Sequence, residues 1–122
     1  MAITQDTAYG FGQQGSLFLD ASGAASPPTG KVFVAITFLA DTVFDASGGL
    51  VAETTNTASL GLEYAGTEAA AHDLTDTNET AISGSGGLQI DASNTFPKGV
   101  TIYGRYTEID LTSGMCLAYI GE

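Results

Sequence analysis

FPKGVTIYGRYTEIDLTSGMCLAYI, residues 96–120, is the stretch whose reading decides the fold. Val100, Ile102 and Tyr106 alternate with Thr101, Tyr103 and Arg105, and Ile109 and Leu111 then alternate with Glu108 and Asp110. A period of two sends one set of side chains to a dry face and the other to a wetter one, the pattern of β-strands. Pro97-Lys98-Gly99, with proline at the second position and glycine two later, suits a tight turn. Thr112-Ser113-Gly114 suits a three-residue connection with glycine in the left-handed position, so the segment is expected to close as a β-hairpin. Apolar parity changes between Tyr106 and Ile109, which requires a bulge, with Gly104 nearby to ease the kink.

Outward from this segment, Lys31 to Leu39 (KVFVAITFL) is the most apolar run of the chain. Both parities are apolar and the residues are β-branched or aromatic, which predicts a central strand covered on both faces and a first core element. Val43-Phe44 leads into Asp45-Ala46-Ser47-Gly48-Gly49, and Leu50 to Thr54 can return as its hairpin partner. Ser16 to Asp20 (SLFLD) reads as a short strand, followed by a loop marked by Gly23, Pro27, Pro28 and Gly30. Ser59 to Tyr64 alternates again, and the pattern then lapses from Ala65 to Gly87. Glu68 to Leu74 has helical propensity, but so short a helix is marginal alone, so a long loop with at most one helical turn is expected. Gly87 to Ile90 and Asn94 to Phe96 resume β character.

About seven to nine short strands with turn signals every ten or so residues predict an all-β fold, an antiparallel β-sandwich or barrel of jelly-roll-like character. Residues 16–122 form its single β domain. Residues 1–15 mix Gly10, Gly12 and Gly15 with Tyr9, Phe11 and three glutamines and keep no period. They read as an extended arm that becomes fixed against a neighbour, or else as an ordinary first edge strand.

Composition narrows the function. A chain of 122 residues, 43% hydrophobic and 14% charged, can bury a core of its own without disulfides. Fourteen acids face only Lys31, Lys98 and Arg105, for a formal charge of −11, which repels phosphate backbones and anionic lipid surfaces. Nucleic acid and membrane are therefore excluded as expected partners, and no apolar run approaches the roughly 20 residues of a spanning helix. The N-terminus shows neither the basic nor the apolar region of a secretory signal, which suggests synthesis and retention in a cytoplasm. Cys116, the one cysteine, lies in MCLAYI and reads as a small buried hydrophobe.

Reactive constellations are sparse. His72 is the single histidine, and no serine stands in a G-x-S-x-G elbow to use it. Asp73, Asp76, Asn78 and Glu79 gather oxygen ligands and are the candidate metal residues, although their spacing is wrong for an EF-hand. Glu108 and Asp110 share one strand face, roughly 7 Å apart by strand rise, a separation that alternation alone produces. The expectation is a protein that is not an enzyme and that needs no cofactor.

The run Phe96-Pro97-Lys98-Gly99-Val100-Thr101-Ile102-Tyr103-Gly104-Arg105-Tyr106-Thr107, with Leu111-Thr112-Ser113-Gly114 and Ala118-Tyr119-Ile120 after it, resembles the C-terminal segment of small virion structural proteins of tailed, particularly marine, bacteriophages. In those chains a P-x-G-x-T-[IL]-Y-G turn and strand precedes an L-x-S-G hairpin and an apolar strand. Lys31 to Phe44 resembles their central strand less specifically. The resemblance implies a capsid decoration, cement or knob-like protein on the outside of a virion, made in the host cytoplasm. It also implies an oligomer, often a homotrimer, whose partners are the major capsid protein and its own copies. The expected assembly contacts are Tyr9 and Phe11 of the arm, and Tyr103 and Arg105 of an exposed strand edge in the final hairpin. A tail- or fibre-associated phage protein, and a calcium-assisted adhesin or carbohydrate-binding β-module, are the alternative readings.

Overall fold

Val32–Phe38 lies at the centre of the structure, as its two-sided apolar pattern requires, with five of its seven residues buried. The computed structural model describes residues 14–21, 23–46, 48–53, 66–67 and 90–122. Seven strands cover them: β1 (Ser16–Asp20), β2 (Val32–Phe38), β3 (Val43–Phe44), β4 (Leu50–Ala52), β5 (Thr101–Ile109), β6 (Leu111–Ser113) and β7 (Met115–Gly121). A five-stranded sheet runs β1-β7-β2-β5-β4 and a two-stranded sheet pairs β3 with β6. Every pairing is antiparallel, and the described residues contain no helix. The chain is thus an all-β, sandwich- or barrel-like domain of the expected strand number. The strand expected at Ser59 to Tyr64, the loop that carries Glu68 to Leu74, and all of the expected Gly87 to Ile90 segment but Ile90 itself, which belongs to no strand, lie outside the described residues.

The core is one cluster of Phe33, Ile36, Phe38, Phe44, Leu50, Tyr106, Ile109, Leu111, Cys116 and Ala118, with Leu17, Leu19, Ile90, Phe96, Ile102 and Ile120 packed against it. Fully burying a Phe, Leu or Ile side chain contributes about 1.5–3 kcal/mol. Three rings share one corner. Phe96 stacks on Phe38 at 5.0 Å, while Phe44 meets both edge-on, at 5.8 Å from Phe38 and 5.4 Å from Phe96.

Two expected hairpins are not made. β5 and β7 do not pair; β2 lies between them and bonds to both. A strand apolar on both faces leaves its backbone groups dry, and flanking it on both edges satisfies them all. Leu111–Ser113 is therefore not a turn but β6, which crosses to the small sheet and buries Leu111. Gly114 ends that crossing at φ +95°, where a Cβ would meet the Thr42 hydroxyl and lie 2.6 Å from the Asp41 carbonyl oxygen. In the same way Val43-Phe44 joins the small sheet and Leu50–Ala52 the large one, so the 45–49 turn changes sheets.

Local expectations fare better. The Val100 amide donates to the Pro97 carbonyl at 3.3 Å and Gly99 has φ +90°, which makes 97–100 a turn with Pro97 first, one place earlier than expected, and glycine at the left-handed position. Val51 faces Glu108 while Ala52 faces Tyr106, so Thr107 is the extra residue of a bulge between Tyr106 and Ile109. A second irregularity sits at Gly104. There the Tyr106 ring folds over the glycine, its Cζ 2.6 Å from where a Cβ would stand, and its hydroxyl donates to the Tyr103 carbonyl at 3.1 Å.

Candidate functional site

Alternation along the large sheet separates its two faces. Ile36, Ala118, Cys116 and Phe38 point into the core with Leu17 and Leu19. The intervening residues form the outer face. Its rows, read across β1, β7, β2 and β5, are Phe18, Leu117, Thr37 and Thr101, then Ser16, Tyr119, Ala35 and Tyr103. Thr37 and Thr101 share a hydrogen bond of 2.8 Å, which fixes them on one side. Asp20 and Met115 pair in the row beyond. An antiparallel sheet with one wet face ordinarily carries charge there. Here Asp20 is the single charge in these three rows, on a chain with fourteen acids. Phe18 is 55% exposed, Tyr103 64% and Met115 38%, so aromatic and aliphatic surface stands open to solvent.

Two ion pairs come together around Glu122. Arg105 donates from Nε and one terminal nitrogen to the two carboxylate oxygens of Glu53, at 3.0 and 3.1 Å, and to the Glu122 carbonyl at 2.9 Å. Lys31 reaches the Glu122 carboxylate at 3.0 Å and, with Gln14, holds its pKa below the ordinary carboxylate range. Arg105 thus anchors β5 to neighbouring chain segments, while Tyr103, two residues earlier, projects from the open face.

The edges of the large sheet differ from expectation as well. Neither β5 nor β7 has a free edge; the edge strands are β1 and β4. β4 is covered: the Leu50 amide donates to the Thr67 hydroxyl and the Thr67 amide to the Leu50 carbonyl, both at 2.9 Å. β1 keeps continuous register with β7. The Ile120 amide donates to the Gly15 carbonyl, so alternation turns the backbone groups of Leu17 and Leu19 toward β7 and those of Ser16, Phe18 and Asp20 outward.

Other candidates supply no reactive centre. Cys116 is buried, and burial pushes its thiol up to about 11, away from the reactive thiolate. Asp110 lies just beyond the end of β5, between it and β6. Its pKa is raised, first by partial burial and then by the Asp45 carboxylate. Thr112 donates to that Asp45 carboxylate at 2.8 Å. Among the described residues no three His, Cys, Asp or Glu side chains are grouped to hold a metal ion. His72, the candidate ligands Asp73, Asp76, Asn78 and Glu79, and the candidate contacts Tyr9 and Phe11 lie outside the described residues.

The open face was hidden in the sequence because its residues come from four separated strands. The alternation of SLFLD did mark Phe18 as opposite in orientation to its two leucines. No family model matches the chain, and no curated protein or solved structure matches it either.

Proposed function

We propose that this chain is a non-enzymatic structural subunit of a virion, a cement or decoration protein that binds the outside of a tailed-phage capsid and its own neighbouring copies. The single observation that supports this reading is the outer face of the large sheet, with exposed aromatic and aliphatic side chains and Asp20 as the one acid in its three rows. A chain of formal charge −11 repels other anionic surfaces, and a face with one acid in three rows lets a partner approach at a lower penalty. Tyr103 and Met115 supply rigid and adaptable apolar contacts, respectively. One such face is a modest interface, and repetition over the equivalent positions of a shell, in trimers or other symmetric groups, multiplies it.

The test is co-sedimentation with undecorated capsids of the phage whose genome encodes the chain. The intact chain should pellet with them and raise their disruption temperature. Tyr103→Glu combined with Met115→Glu should keep the β circular dichroism spectrum and lose at least tenfold in binding. Deletion of residues 2–13 reports separately on Tyr9 and Phe11. Absence of binding by the intact chain would reject the capsid role, and undiminished binding by the double variant would reject the face.

A further inference from the structure

We infer that β1 is a pairing edge for a second copy of this chain, joined antiparallel about a two-fold axis through Phe18. The inference deepens the assembly reading and names one of its contacts.

Soluble sheets guard an edge with lysine, proline, a bulge or a covering segment, because open backbone groups recruit other strands. β4 is covered by Thr67. β1 contains no lysine, proline or bulge: it is SLFLD, in unbroken register with β7, and among the described residues no segment covers it and its outward backbone groups at Ser16, Phe18 and Asp20 have no partner. Phe18, at the middle of this edge, is 55% exposed.

The strand is also self-complementary. Read in either direction, Ser16-Leu17-Phe18-Leu19-Asp20 runs small polar or acidic, leucine, phenylalanine, leucine, small polar or acidic. Turned antiparallel on its own copy about Phe18, it sets Phe18 against Phe18, Leu17 against Leu19 and Ser16 against Asp20. The outward groups of three residues on each strand then exchange six N–H···O bonds. Charge selects this register. Ser16 can donate to the facing Asp20, while the two Asp20 carboxylates stand about 14 Å apart along the strands, beyond the roughly 8 Å screening length of physiological salt. A shift that put Asp20 opposite Asp20 would set like charges face to face, and a one-residue slip would set the outward groups of one copy against Leu17 and Leu19 of the other, whose backbone groups are turned toward β7.

Pairing in this way makes one ten-stranded sheet from two copies. Their outer faces become a single surface with the two Phe18 rings at its centre, and the half-buried Leu17 and Leu19 gain cover on the core side. A strand edge of five residues buries less than the roughly 1,200 Å² of a standard stable interface, so the contact is concentration-dependent in solution and is completed where copies are held close together.

Sedimentation equilibrium of the full chain over a wide concentration range, with residue-resolved amide exchange at each end of that range, tests the inference. The expected result is a weight-average mass that rises toward the dimer as the amides of Ser16, Phe18 and Asp20 become protected, with Leu17 and Leu19 protected throughout. Phe18→Lys and Phe18→Pro, which charge the edge or remove its central donor without touching the β7 bonds, should weaken association at least tenfold. A chain that stays monomeric, association unaffected by both variants, or protection of the three amides at every concentration would each overturn it, the last by assigning the edge to another segment of the same chain. None of these outcomes bears on capsid binding by Tyr103 and Met115, so the two proposals fail separately.

Discussion

Replacing Gly114 by alanine separates the crossing described above from the hairpin that the sequence suggests. Gly114 and Gly99 have nearly the same backbone, φ +95° and +90°. At either site an L-residue pays about 1–2 kcal/mol for the left-handed conformation. Each also gains equally from the reduced freedom of the unfolded chain, so that contribution cancels in the comparison. Their surroundings differ. A Cβ at Gly99 meets nothing within 4 Å, whereas at Gly114 it meets the Thr42 hydroxyl and the Asp41 carbonyl, the latter at 2.6 Å. Overpacking of this kind costs about 1–3 kcal/mol more. Gly99→Ala should therefore lose about 1–2 kcal/mol and Gly114→Ala about 2–5 kcal/mol. Urea unfolding followed by far-UV circular dichroism reads the difference. With a slope of about 2 kcal/mol/M, a gap of 2 kcal/mol moves the midpoint by about 1 M. A hairpin tip at Gly114 would be as open as Gly99. Equal midpoints for the two variants would refute the close passage of β6–β7 against residues 41–42.

Phe96→Ala should destabilise the fold by about 2–4 kcal/mol, because a partly buried ring is lost from two aromatic pairs, and Phe96→Leu should restore at least half of that in a thermal melt. Equal effects of the two variants would assign the loss to the backbone bridge with Thr42 instead of the rings. Asp45→Asn should raise the melting temperature at pH 7, since it removes the like charge beside Asp110. Asp110's folded pKa lies above its unfolded value, so its contribution is fully present below about pH 3.8 and is lost as pH rises through the folded pKa; the advantage of Asp45→Asn should therefore shrink on acidification toward pH 4. A benefit that does not change with pH would place the cause elsewhere.

What could be read from the sequence followed a physical divide. Periodicity and residue shape report which face a side chain takes, so the two-sided run of β2, the alternation of β5, the bulge after Tyr106, the turn at Pro97-Lys98-Gly99 and the left-handed glycine at 114 were all legible. Periodicity says nothing about which strand lies alongside. The nearest-neighbour hairpin was therefore drawn where β2 in fact intervenes, and the 45–49 turn was given one sheet instead of two. Phe96 was legible as β, but its part in the Phe38–Phe44 corner depends on segments far apart in sequence. Tyr103 is exposed on the outer face. Arg105 shows its bonds to Glu53 and Glu122 only once β4 and β7 are brought alongside.

Among the described residues every pairing between strands joins one of β1 to β4, all complete by Ala52, to one of β5 to β7, none of which begins before Thr101. Among the described residues, β1 to β4 form no ladder with one another. Each ladder joins segments far apart in sequence, a slow topology to close. The same arithmetic divides the molecule into two interlocking halves, and separate peptides covering 14–53 and 90–122 are the pieces from which reassembly in trans would be attempted.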